Sequence, residues 1–270
     1  MILACPVCGQ PLTPDSGALK CPSGHSFDVA RQHYVNLLLS NASGGKRHGD
    51  DRAMVRARTE FLDAGYYDAF RDAVTAAAAE LIPRGSPVID AGCGEGFYTS
   101  AVRRAVGADM CGADISKTAL IAAARRDPEL TLCAAGVNRL PAADGACAGV
   151  LNIFAPCCES EFSRVLRPGG VLIRGVPTER HLWGLKSAVY AEPYLNSPPE
   201  EELGGFELAA RRDVTYNITL KSQSDIHNLF MMTPYYYKTG QRDQEKLEAL
   251  LSLETELGFA VLIYRKRKKR

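Results

Sequence analysis

Four side chains near the start of the chain have the types and spacing of a metal site. Cys5-Pro-Val-Cys8 is followed, after twelve residues, by Cys21-Pro-Ser-Gly-His25, a C-x2-C…C-x3-H arrangement. Three thiolates and an imidazole saturate a tetrahedral Zn2+ with no position left for a substrate, so the chemistry is structural rather than catalytic. A turn near Pro14-Asp15-Ser16-Gly17 would bring the second pair back onto the first. A redox role for Cys5 and Cys8 would leave Cys21 and His25 unexplained. Residues 1–40 are too few for an apolar core of their own, and the metal would supply their folding energy. His33 is expected on a connector surface.

The second cluster is a glycine loop, Asp90-Ala-Gly92-Cys-Gly94-Glu-Gly96-Phe97-Tyr98, directly after a short apolar strand. A dinucleotide fingerprint would need glycine where Phe97 stands, which disfavours an oxidoreductase. The acidic-x-G-x-G-x-G form resembles the first motif of class I S-adenosylmethionine-dependent methyltransferases. Gly92, Gly94 and Gly96 let the backbone turn and approach a cofactor closely. Asp90 can accept from a methionyl ammonium or order the loop. Asp114, closing the next strand, can take both ribose hydroxyls, and Asn138 in Gly-Val-Asn-Arg-Leu-Pro stands where an amide could meet the adenine amino group. Such residues at the carboxyl ends of successive parallel strands lie where ligands bind in these sheets.

The elements that must position them alternate. Strands are expected at 88–89, 110–113, 130–134, 148–154 and 171–176, with helices at 98–106, 116–126 (Ser116 as N-cap) and 159–166 between them. This is the βαβ pattern of an α/β doubly wound sheet. Arg167-Pro-Gly-Gly170 reads as a sharp turn. Helices at about 182–190, from 224 and at about 243–256, and strands at 214–220 and 260–264, should follow. Upstream, Met54, Val55, Phe61 and Leu62 fall on one side of a helix, and a second runs from about 67 to 81, stopped by Pro83 and Gly85. Domain boundaries follow: a zinc-binding module at 1–40, a linker and helical connector at 41–85, and the α/β domain at 86–270.

At 270 residues, 46% apolar and 23% charged, the composition is that of a folded domain and excludes wholesale disorder. No run approaches the roughly 18 apolar residues of a membrane span. Nine cysteines, an odd number, with no secretory pattern in Met-Ile-Leu-Ala-Cys-Pro, point to a reducing compartment, the cytoplasm. Of 32 basic side chains six form the run 265–270, so the rest is net acidic against 31 Asp and Glu. That basic tail suits contact with an RNA backbone. Asn41–Asp51 is small, polar and charged, a linker or loop.

Nearly end to end, the sequence resembles the 23S rRNA (guanine-N1)-methyltransferases. The resemblance runs through the Cys/His set, His25-Ser-Phe-Asp-Val-Ala30, Tyr34-Val-Asn-Leu-Leu38, Met54, Arg58, Phe61-Leu-Asp-Ala-Gly65-Tyr-Tyr67, the glycine loop, Phe154-Ala-Pro-Cys157, His181-Leu-Trp-Gly-Leu-Lys186 and Met232-Thr-Pro234. It implies a class I fold, S-adenosylmethionine and Zn2+ as cofactors, and methyl transfer to N1 of a guanine in a hairpin loop of 23S rRNA domain II. It also implies a homodimer whose two ribbons line one RNA cleft, and in some members an effect on macrolide susceptibility. By the same resemblance Tyr67, Tyr98, Thr99 and His181 are cofactor contacts. Asn152 and Phe154, at the end of the fourth strand of the α/β domain, are candidates to hold the target base by analogy of position. Two other readings stay open on the residues alone. One is a small-molecule methyltransferase with a structural zinc knuckle, and the other a non-catalytic RNA-binding protein with a methyltransferase-like core.

Overall fold

The structure, a computed structural model, describes residues 2–39 and 49–267. The first three strands, β1 (Thr13–Asp15), β2 (Ala18–Lys20) and β3 (Ser26–Asp28), form a small antiparallel sheet with Ser16 and Gly17 at its first turn. β4 (Tyr34–Asn36) leaves this ribbon. Then come helices α1 (Arg52–Asp63) and α2 (Asp68–Leu81), and an alternating series: β5 (Pro87–Ala91), α3 (Phe97–Val106), β6 (Asp109–Asp114), α4 (Lys117–Arg126), β7 (Thr131–Ala134), β8 (Cys147–Ile153), α5 (Glu159–Val165) and β9 (Leu166–Pro177). The chain closes with α6 (Trp183–Val189), β10 (Phe206–Leu220), α7 (Gln223–Met231), α8 (Gln241–Glu248) and β11 (Leu253–Lys266).

Eight strands make one sheet in the order β10-β11-β9-β8-β5-β6-β7-β4. The inner strands pair in parallel, as the alternation requires, while β11 runs antiparallel to both β9 and β10. Side chains alternate between two apolar clusters. Val88, Leu151, Ile173, Val261 and Ile263 enter one, and Ile89, Val150, Leu172, Leu262 and Tyr264 the other. With a strand period of two, these clusters lie on opposite faces of the sheet. Phe61, Phe70, Val102, Leu120 and Leu185 cover the first. The second is covered by Phe162 and Val165 of α5 together with Leu3, Leu12, Leu19 and Val35 of the ribbon segment. The ribbon thus covers part of a face that helices usually cover in such folds. Its last strand joins the sheet edge directly, with Tyr34 opposite Leu132 and Asn36 opposite Ala134 in parallel register with β7.

Local expectations hold best where the pattern is short-range. Ser116 caps α4 by accepting from Ala119 N at 3.2 Å, and Asp51 caps α1 from Met54 N at 2.9 Å. The end of the chain differs. The helix expected over 243–256 stops at Glu248, and the strands expected at 214–220 and 260–264 are instead fifteen and fourteen residues long. Leu253–Glu256 pair with Leu220–Asn217, and this long-range ladder outweighs the helix propensity of the Glu- and Leu-rich stretch. Arg167–Gly170, expected as a turn, runs within β9, where the β8 pairing shifts register between Cys147 and Gly149. The basic run is only partly a tail. Arg265 and Lys266 end β11, donating to the Gly169 and Leu166 carbonyls at 3.1 and 2.6 Å. Residues 268–270, and residues 41–48 of the expected linker, lie outside the described residues.

Candidate active site and zinc centre

The hairpin of the ribbon folds both ligand pairs together. Sγ of Cys5, Cys8 and Cys21 and a ring nitrogen of His25 all lie within 4.8 Å of one another. Cys21 Sγ and Cys5 Sγ stand 3.3 and 3.6 Å from His25 Nδ1, and Cys8 Sγ stands 3.6 Å from Cys21 Sγ. Ligands about 2.0–2.3 Å from a tetrahedral zinc are separated by roughly 3.5–3.8 Å, so the four atoms fit the ion with little movement. Donation from the Gln10 backbone lowers the Cys8 thiol to about 6, toward the thiolate that zinc requires. His33, in a left-handed turn before β4, is not among the four.

The second site opens at the carboxyl ends of β5 and β6. After Ala91 the chain turns at Gly92, with a φ of +92°, and the amides of Gly92 and Cys93 both donate to the Ala113 carbonyl. A Cβ on Gly92 would stand 2.4 Å from the Ala155 Cβ. Gly96 (φ +84°) is the N-cap of α3, and a Cβ there would stand 3.0 Å from the Ala123 Cβ. Asp114 ties the turn to β6. Its Oδ2 accepts from Gly94 N at 2.9 Å and its Oδ1 from Ser116 N at 2.8 Å. A carboxylate oxygen accepts more than one bond, so each keeps capacity for a ribose hydroxyl.

Asp90 is 2% exposed. Its Oδ2 accepts from Thr99 Oγ1 at 2.7 Å, whereas its Oδ1, like the Tyr98 hydroxyl, is buried without a partner among the described residues. A native interior leaves few such atoms unpaired, and an unpaired buried carboxylate oxygen at a glycine turn suits an ammonium ligand. Burial, with repulsion from Asp114 and against the Thr99 bond, raises the Asp90 carboxyl to about 6. From the ordinary value up to that point the folded chain holds a proton the unfolded one lacks, so this carboxylate lowers stability as pH rises through the window. Ammonium binding needs the ionised form. Affinity for S-adenosylhomocysteine, measured by calorimetry, is therefore expected to fall about tenfold per pH unit below about 6. Asp90→Asn should bind weakly at every pH and without that slope. A wild-type affinity independent of pH would show that Asp90 meets no cation.

Four of the remaining expected residues, Tyr67, Tyr98, Phe154 and His181, gather in a cluster of rings. Tyr67, buried at the N-terminus of α2, places its hydroxyl 3.4 Å from His181 Nε2. His181 Nδ1 accepts from Gly258 N at 3.3 Å, which leaves the Nε2 proton to donate to Tyr67. Burial, then the Lys186 charge, pulls His181 down to about 3, so the ring stays neutral. Phe154 has a left-handed φ of +52° and is 44% exposed, its ring 6.4 Å from those of both Tyr67 and His181. A non-glycine residue in that region just after a strand is strained, and such strain gathers at ligand sites. Asn152 is turned inward. Its amide donates to the carbonyls of Ala91 and Pro156 at 3.2 and 3.1 Å, and its Oδ1 accepts from Arg174, so it shapes the loop that presents Phe154. Asn138 is exposed on the 136–139 turn, beside Val137, which approaches Gly92.

Arg58, matched above only as part of a family pattern, pairs with Asp50, whose carbonyl accepts from Ser116 beside Asp114. Its spacing from Met54, Val55, Phe61 and Leu62 puts it on the buried side of α1, a signal the sequence carried. Gly258 and Phe259, from β11, complete the wall, and no local pattern pointed to them.

A family profile described as "RlmA, N-terminal" matches residues 3–42, and a methyltransferase-domain profile matches residues 88–170. A protein of Micromonospora griseorubida, named for 23S rRNA (guanine-N1)-methyltransferase, is 45% identical over 200 residues, 67% of each chain. The chain belongs to the 23S rRNA (guanine-N1)-methyltransferase family. A Streptomyces fradiae 23S rRNA (guanine(748)-N1)-methyltransferase is 39% identical over 191 residues, 69% of this chain and 67% of that one. YxjB of Bacillus subtilis, which carries the same family name, is 29% identical over 279 residues, 96% of this chain and 95% of that one. The Cys/His cluster is the zinc site of the family's ribbon, and the cleft over Gly92–Gly96 belongs to a class I, S-adenosylmethionine-dependent methyltransferase domain.

Proposed function

We propose that this chain methylates N1 of a guanine in a hairpin loop of 23S rRNA, in the cytoplasm. The observation that carries the reading is the joining, in one sheet, of the family's zinc ribbon to a cleft with a partnerless Asp90 oxygen and an exposed Phe154 at its mouth. When bound, S-adenosylmethionine supplies a methyl already activated on a sulfonium, so the chain contributes alignment and exclusion of water. Asp90, Gly94 and Asp114 would hold the amino-acid and ribose ends. The rings of Tyr67, Tyr98, Phe154 and Phe259 cluster together, an aromatic surrounding that would favour a cation, and a neutral His181 among them adds no opposing charge. Phe154 offers a ring face on which an unpaired base can stack, as loop bases do on RNA-binding proteins.

None of the described helices is long and apolar enough to cross a membrane. Two chains pairing so that both ribbons line one RNA cleft would suit a folded hairpin. The test is incubation of the protein with labelled cofactor and a domain II transcript, followed by mass mapping. One methyl on a single loop guanine is expected, and a transcript left without label would defeat the reading.

A further inference from the structure

The methionyl end of the cofactor carries a carboxylate beside its ammonium, and the residues discussed so far answer only the ammonium. We infer that Arg58 binds that carboxylate, an inference that rests on the reading above. Arg58 is held on the buried side of α1, its side chain 23% exposed, and its charge is felt by Asp114, Glu95, Tyr98 and Tyr67, which surround the glycine turn. Glu95 pairs through Oε2 with Arg126 at 2.6 Å, while its Oε1 is buried with no hydrogen-bond partner among the described residues. Arg58 is anchored from one side by an ion pair between Nη1 and Asp50. The Asp50 carbonyl in turn accepts from Ser116 Oγ at 2.7 Å, next to the Asp114 carboxylate. This ties the guanidinium to the Asp114 side of the glycine turn without using its full capacity. Nη2 has a stretched 3.4 Å contact with the Met232 carbonyl. Five N–H donors in a planar fork leave an edge able to take a carboxylate in two parallel bonds.

The arrangement separates the two charges of an amino acid. Asp90 Oδ1, buried and without a partner, answers the ammonium from the floor of the cleft, and Arg58 answers the carboxylate from α1. Desolvation makes an incompletely paired charge expensive here. Burial pulls the Arg58 guanidinium below its ordinary value although Asp114 and Glu95 oppose this. A ligand carboxylate restores that balance.

Decarboxylated S-adenosylmethionine, which lacks only this group, isolates the contact. Calorimetry on the full zinc-loaded chain should show S-adenosylmethionine bound about 30-fold more tightly than the decarboxylated compound. Arg58→Met should lose that factor, weakening S-adenosylmethionine while leaving the decarboxylated compound within about twofold. Arg58→Lys, which keeps the charge but not the fork, should fall between. Because Arg58→Met leaves Asp50 without its counter-ion, the paired variant Asp50→Asn, Arg58→Met repeats the comparison with both charges removed. The inference is overturned if the unmutated chain binds both compounds equally, or if a folded variant loses both to the same extent or keeps the wild-type preference. An unmutated chain that binds neither compound overturns the proposed function itself.

Discussion

Gly92→Ala is expected to weaken S-adenosylhomocysteine binding by at least about 100-fold and to lower the melting temperature as well. The left-handed φ of +92° costs an alanine about 1–3 kcal/mol. The added Cβ would also stand 2.4 Å from the Ala155 Cβ, an overlap worth about 1–3 kcal/mol more if the structure shifts to relieve it. Little can give way. Ala155 follows Phe154, whose amide donates to Gly175 O at 3.0 Å, and precedes Pro156, whose carbonyl Asn152 holds. The strain is therefore relieved by shifting the glycine turn or the Phe154 loop from its place. Gly94→Ala separates the two effects. Its φ of +53° still costs an alanine about 1–2 kcal/mol, but nothing among the described residues lies within 4 Å of the added Cβ, so melting should fall less than in Gly92→Ala while cofactor affinity falls. Equal affinities for wild type and Gly92→Ala, by calorimetry, would mean that the turn does not cradle the ligand.

The other large effect is expected at the zinc ligands. Cys21→Ser should leave the chain without zinc by elemental analysis and lower its melting temperature by roughly 15 °C. The size follows from the packing. Without the metal the ribbon cannot hold its hairpin. Leu3, Leu12, Leu19 and Val35 then leave the sheet face shared with Cys133, Leu172 and Phe162. Re-exposing four such side chains loses about 1.5–3 kcal/mol each. β4 should detach from β7, and Val35 and Leu37 lose amide-exchange protection; Leu37 N donates to Ala134 O at 3.0 Å in the native chain. Melting unchanged after loss of zinc would show that the ribbon is tethered to the α/β domain rather than fused with it.

Both effects start from residues legible in the linear chain. Cys5, Cys8, Cys21 and His25 declare a tetrahedral site because their spacing alone closes two short ligand pairs. The glycines declare a close backbone approach because only they enter left-handed turns without strain. The helices and strands from 87 to 165 were also legible, since period and capping act over a few residues. Tertiary structure alone decided what depends on partners far away. It made β10 and β11 long, and it ended α8 at Glu248, because paired backbones supply hydrogen bonds that no local pattern announces. It turned the Asn152 amide inward and left Phe154 exposed, although the two are only two residues apart at the end of β8. It fused the ribbon to the sheet through β4 and carried Arg58 on α1 to the cleft. Residue type and spacing determine which chemistry a segment can perform. Which segments meet, and which polar groups are left without partners when they do, is fixed by burying two sheet faces at once.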